Sequence, residues 1–271
     1  MHHLKRFFDF YINSSIHVAL SVYAFVRLTQ FVFRISGDTA VVCFAFFGTI
    51  VGYNFVKYDA LARTQKVLMS NQLKGISVLS LLSLLATAYF FFKFQLLTQG
   101  IAIAFLLLTM LYTLPFFPNK SNARNWAGIK IYMVTLSWVG VTVFLPIINS
   151  GVSLTIDVFV IALQRFLLVF VLILIFEIID LKKDDPHLLT VPQQIGVSET
   201  KIIGCVLLFI FIILEFLETN YRHQALVLKT GIALTVLFFL LFANEKRSKY
   251  YTSFWVESVP VLWWVLLLIF G

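Results

Sequence analysis

Charge is what this chain has least of. Only 13% of its 271 residues are Asp, Glu, Lys or Arg, while 60% are hydrophobic and the mean hydropathy is +0.93. That balance excludes a soluble globular domain and places the chain among polytopic membrane proteins. Cysteine is equally scarce. Cys43 and Cys205 lie in separate apolar runs with no ligand spacing, so neither a disulfide framework nor a zinc site is indicated. His17 and His187 have no second histidine at ligand spacing. A Gly-rich phosphate loop, an HExxH helix and a nucleophile elbow are all missing. There is no internal repeat of the kind transporters carry. The basic lead (His2, His3, Lys5, Arg6) is followed by no small-residue cleavage site, so the first apolar run is expected as an uncleaved span, not a signal peptide.

Hydrophobic runs are abundant instead. They fall at 14–34, 39–58, 72–92, 98–117, 127–148, 158–180, 201–218, 225–243 and 257–271. Each is about long enough to cross ~30 Å of hydrocarbon as a helix, the last being the shortest. The expected fold is all-α, a polytopic membrane bundle of about nine transmembrane helices in one domain. The 30 phenylalanines fit either a lipid-facing surface or a pocket for a long apolar substrate.

Alternating the connecting segments puts 15 of the 21 Lys and Arg residues on one side, and only Arg34, Lys93, Arg222 and Lys229 on the other. Such a bias sets orientation: N-terminus cytoplasmic and C-terminus outside, in a bacterial-type inner membrane. It also accounts for the excess of 21 basic over 13 acidic residues without any nucleic acid. Three loops, 57–74, 118–130 and 181–200, then form a polar cytoplasmic cap. The first brings Lys57, Asp59, Arg63 and Lys66 beside Asn54, with Ala60, Leu61, Val67 and Leu68 expected on a short interfacial helix. The second brings Lys120, Asn122, Arg124 and Lys130.

The third carries the sharpest pattern. Glu177, Asp180 and Asp184 stand at i, i+3 and i+7, so on a helix the carboxylates share one face. Acids crowded at the end of a span repel one another, and the arrangement makes sense where a divalent cation or a positive patch neutralises them. Mg²⁺ takes one or two carboxylates and completes its shell with substrate phosphate. A solvated loop, with Lys182 and Lys183 balancing the acids, fits the same spacing. Positive-inside composition explains the bases of all three loops, but it explains neither Asn54 nor the spaced acids. Arg27 and Arg165 fall within runs; Arg165 is expected to snorkel, and Arg27 to snorkel or pair with a neighbouring acid. Glu215 and Glu218 are expected to face water beside Arg222, and Trp255, Trp263 and Trp264 to sit at the interface or in packing.

At these residues the chain resembles the UbiA-type family of intramembrane polyprenyl transferases. The family's second acidic motif reads D-x-x-D-x-x-x-D, then Thr-x-Pro and a Gly. Glu177, Asp180, Asp184, Thr190-Val191-Pro192 and Gly196 resemble it, with Glu in place of the first Asp. Leu111-Tyr112-Thr113-Leu114-Pro115, followed by Lys120, Arg124 and Lys130, is similar to the family's Tyr-then-basic segment. The first motif, N-D-x-x-D-x-x-x-D, is kept only at Asn54. Phe55, Tyr58 and Ala62 hold its acidic slots, and Asp59 lies one residue off, about 100° around a helix.

The resemblance implies a transferase that moves an isoprenoid chain from a prenyl diphosphate to an aromatic or other lipophilic acceptor, with Mg²⁺. It implies Glu177, Asp180 and Asp184 as metal ligands, and Asn54, Lys57, Arg63, Lys120 and Arg124 on the diphosphate, with Tyr112 as a further site residue. The departure at the first motif implies the alternative, a non-catalytic relative that binds a lipid or a membrane partner.

Overall fold

A helix that is apolar on every side belongs inside a bundle, and one segment of this chain meets that description far better than the rest. The structure, a computed structural model, describes residues 2–64, 70–113, 128–219 and 222–271, with side chains except at 2–3, 59–64 and 108–113. Its elements in order are α1 (His2–Asn13), α2 (Ile16–Val32), α3 (Thr39–Thr64), α4 (Asn71–Phe91) and α5 (Leu96–Thr113). Then α6 (Ile129–Val139) runs through a π-helical turn (Gly140–Phe144) into α7 (Leu145–Asn149). They are followed by α8 (Ile156–Asp180), α9 (Val191–Ile195), α10 (Val197–Ile213) and α11 (His223–Leu241). A second π-helical turn (Tyr251–Val256) leads into α12 (Val259–Phe270). No strand occurs among the described residues.

The all-helical membrane architecture is as expected, and the count of spans is close. Among the described residues seven segments are long and apolar enough to cross a membrane, and Leu4–Asn13 with Ile16–Val32, bent by 56°, makes an eighth. Helix α5 stands where a further span is expected, its described apolar part being Leu96–Leu107. Two boundaries differ from the sequence reading. The last crossing is Tyr251–Phe270, 20 residues, because the π turn extends the helix backwards past Glu257. Helix α3 continues to Thr64, so Asn54 and Lys57 ride on the end of a long helix and not on a separate interfacial one.

Helix α8 is the axis of the bundle. Of its apolar window 78% is buried, against 11% for α4, which faces the surroundings on nearly all sides. Leu168, Ile175 and Ile178 of α8 meet Phe25 of α2, Phe211 of α10, Ile232 and Val236 of α11 and Trp263 of α12 in one cluster. Lipid is as apolar as these side chains, so close packing and internal hydrogen bonds hold such a bundle more than desolvation does.

The polar side chains at depth overturn three expectations. Arg165 does not snorkel: it is 4% exposed, and Nη1 donates to Phe25 O and Thr142 Oγ1, each at 3.1 Å. Its guanidinium lies 3.9 Å from the Phe25 ring centroid. Acceptors supplied by α2 and the first π turn meet the charge without any reach to water. Glu215 and Glu218 do not face water either. The short 3₁₀ turn Leu214–Leu217 that ends the α10 crossing brings both carboxylates onto Lys229 Nζ, which also donates to Gln164 Oε1 at 2.9 Å. Lys229 is thus a buried residue of α11 and not a loop base. Arg27 finds no acid among the described residues; it donates to Gln30 Oε1 at 3.0 Å and lies over Trp264.

Candidate functional site

The polar end of α8 opens into a cavity of about 220 Å³. Its inner wall is apolar, with Val134 and Trp138 of α6 and Val169, Leu172, Ile173 and Phe176 of α8. Its mouth is charged: Glu177, Asp180, Asp184 and Glu257 against Lys130. The three acids at i, i+3 and i+7 therefore do converge. The helix ends at Asp180, but Asp184 N donates back to Asp180 O at 2.9 Å, so one more helical turn carries Asp184 over the same face.

Each acid has a distinct environment. Glu177 is 2% exposed, and its Oε2 accepts from Val191 N at 3.1 Å. That N–H is one of the unpaired donors at the start of α9, where Thr190 is the N-cap, Gln193 Oε1 accepts from Thr190 N at 2.9 Å, and Pro192 needs no partner. Gly196, at φ +86°, then turns the chain sharply into α10. The Thr-x-Pro…Gly stretch is thus a loop device, and Glu177 is its anchor. Asp180 accepts from Lys183 Nζ at 3.0 Å and is the more exposed acid. Asp184 Oδ2 is buried and lies 3.5 Å from Lys130 Nζ, an ion pair that does not meet hydrogen-bond geometry.

A buried carboxylate oxygen that accepts no hydrogen bond and shares its cavity with Asp180 fits a hard cation beside Lys130. Mg²⁺ asks for one or two protein carboxylates, and Asp180 and Asp184 supply that number with Glu177 already engaged. No cluster of three or more metal-capable side chains occurs among the described residues. Two carboxylates are the number that such an ion takes when substrate phosphate and water complete its shell.

The other sequence candidates are placed differently. Asn54 is 3% exposed and fully engaged. It accepts from Ser15 Oγ at 2.8 Å and donates to Ser14 O at 3.1 Å and Ser80 Oγ at 2.9 Å, so it ties α2, α3 and α4 together. Lys57 Nζ donates to Asn13 O at 3.2 Å. Neither is among the residues lining the cavity. The side chains of Arg63 and Tyr112 and the whole of Lys120 and Arg124 lie outside the described residues. Sequence reasoning missed Glu257, Tyr53 and Trp138. Trp138 Nε1 donates to Tyr53 OH at 2.7 Å, joining two walls of the cavity.

No protein-family model matches the chain, and no curated protein does. Among solved structures, that of a digeranylgeranylglyceryl phosphate synthase from a study of its biosynthesis in membranes is similar, with a TM-score of 0.58 and 15% sequence identity. The similarity covers 98% of both chains. At that identity the likeness is one of fold.

Proposed function

We propose that this chain is a UbiA-like membrane prenyltransferase that moves an isoprenoid chain from a prenyl diphosphate to an aromatic or other lipophilic acceptor with Mg²⁺. The observation that carries the reading is the cavity itself, acidic at its mouth and apolar within. Support also comes from the fold shared with a synthase whose name contains the geranylgeranyl group.

The residues divide the work by chemistry. Asp180 and Asp184 would hold the metal, which supplies positive charge for the departing diphosphate. Lys130, 3.5 Å from Asp184, adds a cation at the same place and joins Lys120 and Arg124 as a phosphate contact. Phe176, Trp138 and Ile173 keep water from the allylic cation, and the indole offers it a π face. A cavity of about 220 Å³ is smaller than the ~300–1,000 Å³ usual for whole ligands, so it receives the reacting ends while the tail runs out along the bundle.

One observation favours the alternative, a non-catalytic relative that binds a lipid or membrane partner. The first acidic motif is lost, and its surviving Asn54 is sealed in helix packing. Binding of geranylgeranyl diphosphate to purified protein, with and without Mg²⁺, separates the two. A transferase binds donor with Mg²⁺ and loses it in Asp180→Ala/Asp184→Ala. Metal-independent binding that disappears in Lys57→Met would mean a cation-held site, and absence of binding under both conditions would leave the non-catalytic reading.

A further inference from the structure

The cavity wall away from the acidic turn carries a carboxylate that no motif accounts for. Glu257 lines the cavity with Asp180 and Asp184. It belongs to a crossing segment, Tyr251–Phe270, where an ionisable side chain is costly and marks a functional position by default.

The backbone that presents it is firmly held. The turn Tyr251–Val256 is π-helical, a geometry that displaces carbonyls from the α ladder and recurs at functional sites. The turn and its cap are also tied to α2: His17 Nε2 donates to Phe254 O at 2.9 Å, an oxygen that Ser258 N also reaches, and Ser21 Oγ donates to Glu257 O. Pro260 in the first turn of α12 fixes the exit. In contrast to Glu177, the Glu257 carboxylate makes no hydrogen bond and no ion pair among the described residues. It is half-buried and open to the cavity.

We propose that Glu257 is the acceptor-side base: it holds the hydroxyl of a lipophilic acceptor in the cavity and takes its proton. The proposal rests on the prenyltransferase reading above. In the transfer step the C1–O bond to diphosphate breaks and its electron pair leaves with the diphosphate. The acceptor oxygen forms the new bond to C1, and its proton passes to the Glu257 carboxylate. Asp180, Asp184 and Lys130 handle the donor's charge on one wall, leaving the other wall for the nucleophile. That separation orients the two reactants, which is where much of the rate of a bimolecular transfer comes from.

The test compares full-length wild type, Glu257→Gln and Glu257→Asp. Tritiated geranylgeranyl diphosphate is the donor, and total lipid extract of the native membrane supplies acceptor. Donor binding with Mg²⁺ is measured in parallel. Wild type is expected to label a lipid product. Glu257→Gln is expected to bind donor with unchanged affinity but form product ~100-fold or more slowly, the usual loss for a removed general base. Glu257→Asp, which keeps the carboxylate, should recover part of the rate. Wild-type product formation by Glu257→Gln overturns the role, as does loss of product only in proportion to loss of donor binding. A wild type that binds no donor refutes the transferase reading first. One that binds donor yet labels no lipid removes the transfer step and the base together.

Discussion

At the scale of single residues, what the sequence conveys depends on whether partners are close along the chain. Glu177, Asp180 and Asp184 were legible because one helical face gathers them, and the cavity mouth does hold all three. The ionic group on Lys229 was not. Its partners Glu215 and Gln164 come from other helices, and no periodicity reports a meeting across the bundle. Glu257 was missed for a related reason: a single acid at the edge of an apolar run looks like a loop residue. The buried group yields a prediction. Lys229→Met leaves Glu215, which is wholly buried, and Glu218 facing each other without a cation. Breaking a buried pair in this way costs about 3–5 kcal/mol. Thermal unfolding in detergent should show a large loss for Lys229→Met and substantial recovery in Lys229→Met/Glu215→Gln/Glu218→Gln. A single variant as stable as wild type would mean that the ionic group is dispensable.

At the scale of elements, the apolar runs marked the helices correctly but hid the two π turns, since extra residues within a helix leave hydropathy unchanged. Their consequence is visible only in where the carbonyls go. At Tyr251–Val256 the donor from α2 is His17, a residue with no metal-ligand spacing and no evident role in the sequence. Tyr11 OH lies 2.7 Å from His17 Nδ1, so a neutral ring protonated at Nε2 accepts from the tyrosine and donates to Phe254 O. This ring also stacks on Phe254. Helix α1 is fastened to the same turn, through Phe8 against Phe254 and Tyr250 OH to Asp9. His17→Ala would remove the partner of the Tyr11 hydroxyl and the bond from α2 to Phe254 O, which keeps Ser258 N and Ser258 Oγ, at a cost of about 0.5–1.5 kcal/mol. Amide exchange should accelerate at 251–258 while α4 stays unchanged. Equal exchange in both proteins would show that the π turn holds without His17.

At the scale of the whole molecule, the charge pattern and the fold agree on which loops share an end. Lys182 pairs with Glu245 at 2.7 Å, Lys249 with Asp9 at 3.7 Å and Lys130 with Asp184 at 3.5 Å, and Lys57 reaches Asn13 O, so loops far apart in sequence meet at one face. The opposite end is joined by few cations: Asn149 donates to Asp38 at 2.9 Å, Gln95 to Asn149 O, and Thr219 N to Asp157. A bundle with its bases gathered at one end inserts with that end in the cytoplasm, because Lys and Arg resist translocation. The orientation is thus a prediction about two exposed lysines, Lys93 after α4 and Lys182 after α8. With Cys43 and Cys205 replaced by alanine, Lys93→Cys should react with a membrane-impermeant maleimide on intact cells. Lys182→Cys should react only after permeabilisation. The reverse pattern would invert the protein and turn the acidic mouth outward, away from a cytoplasmic supply of prenyl diphosphate. Reaction at both sites in intact cells would place them on one side, and would mean that α5, the shorter apolar helix between them, does not cross.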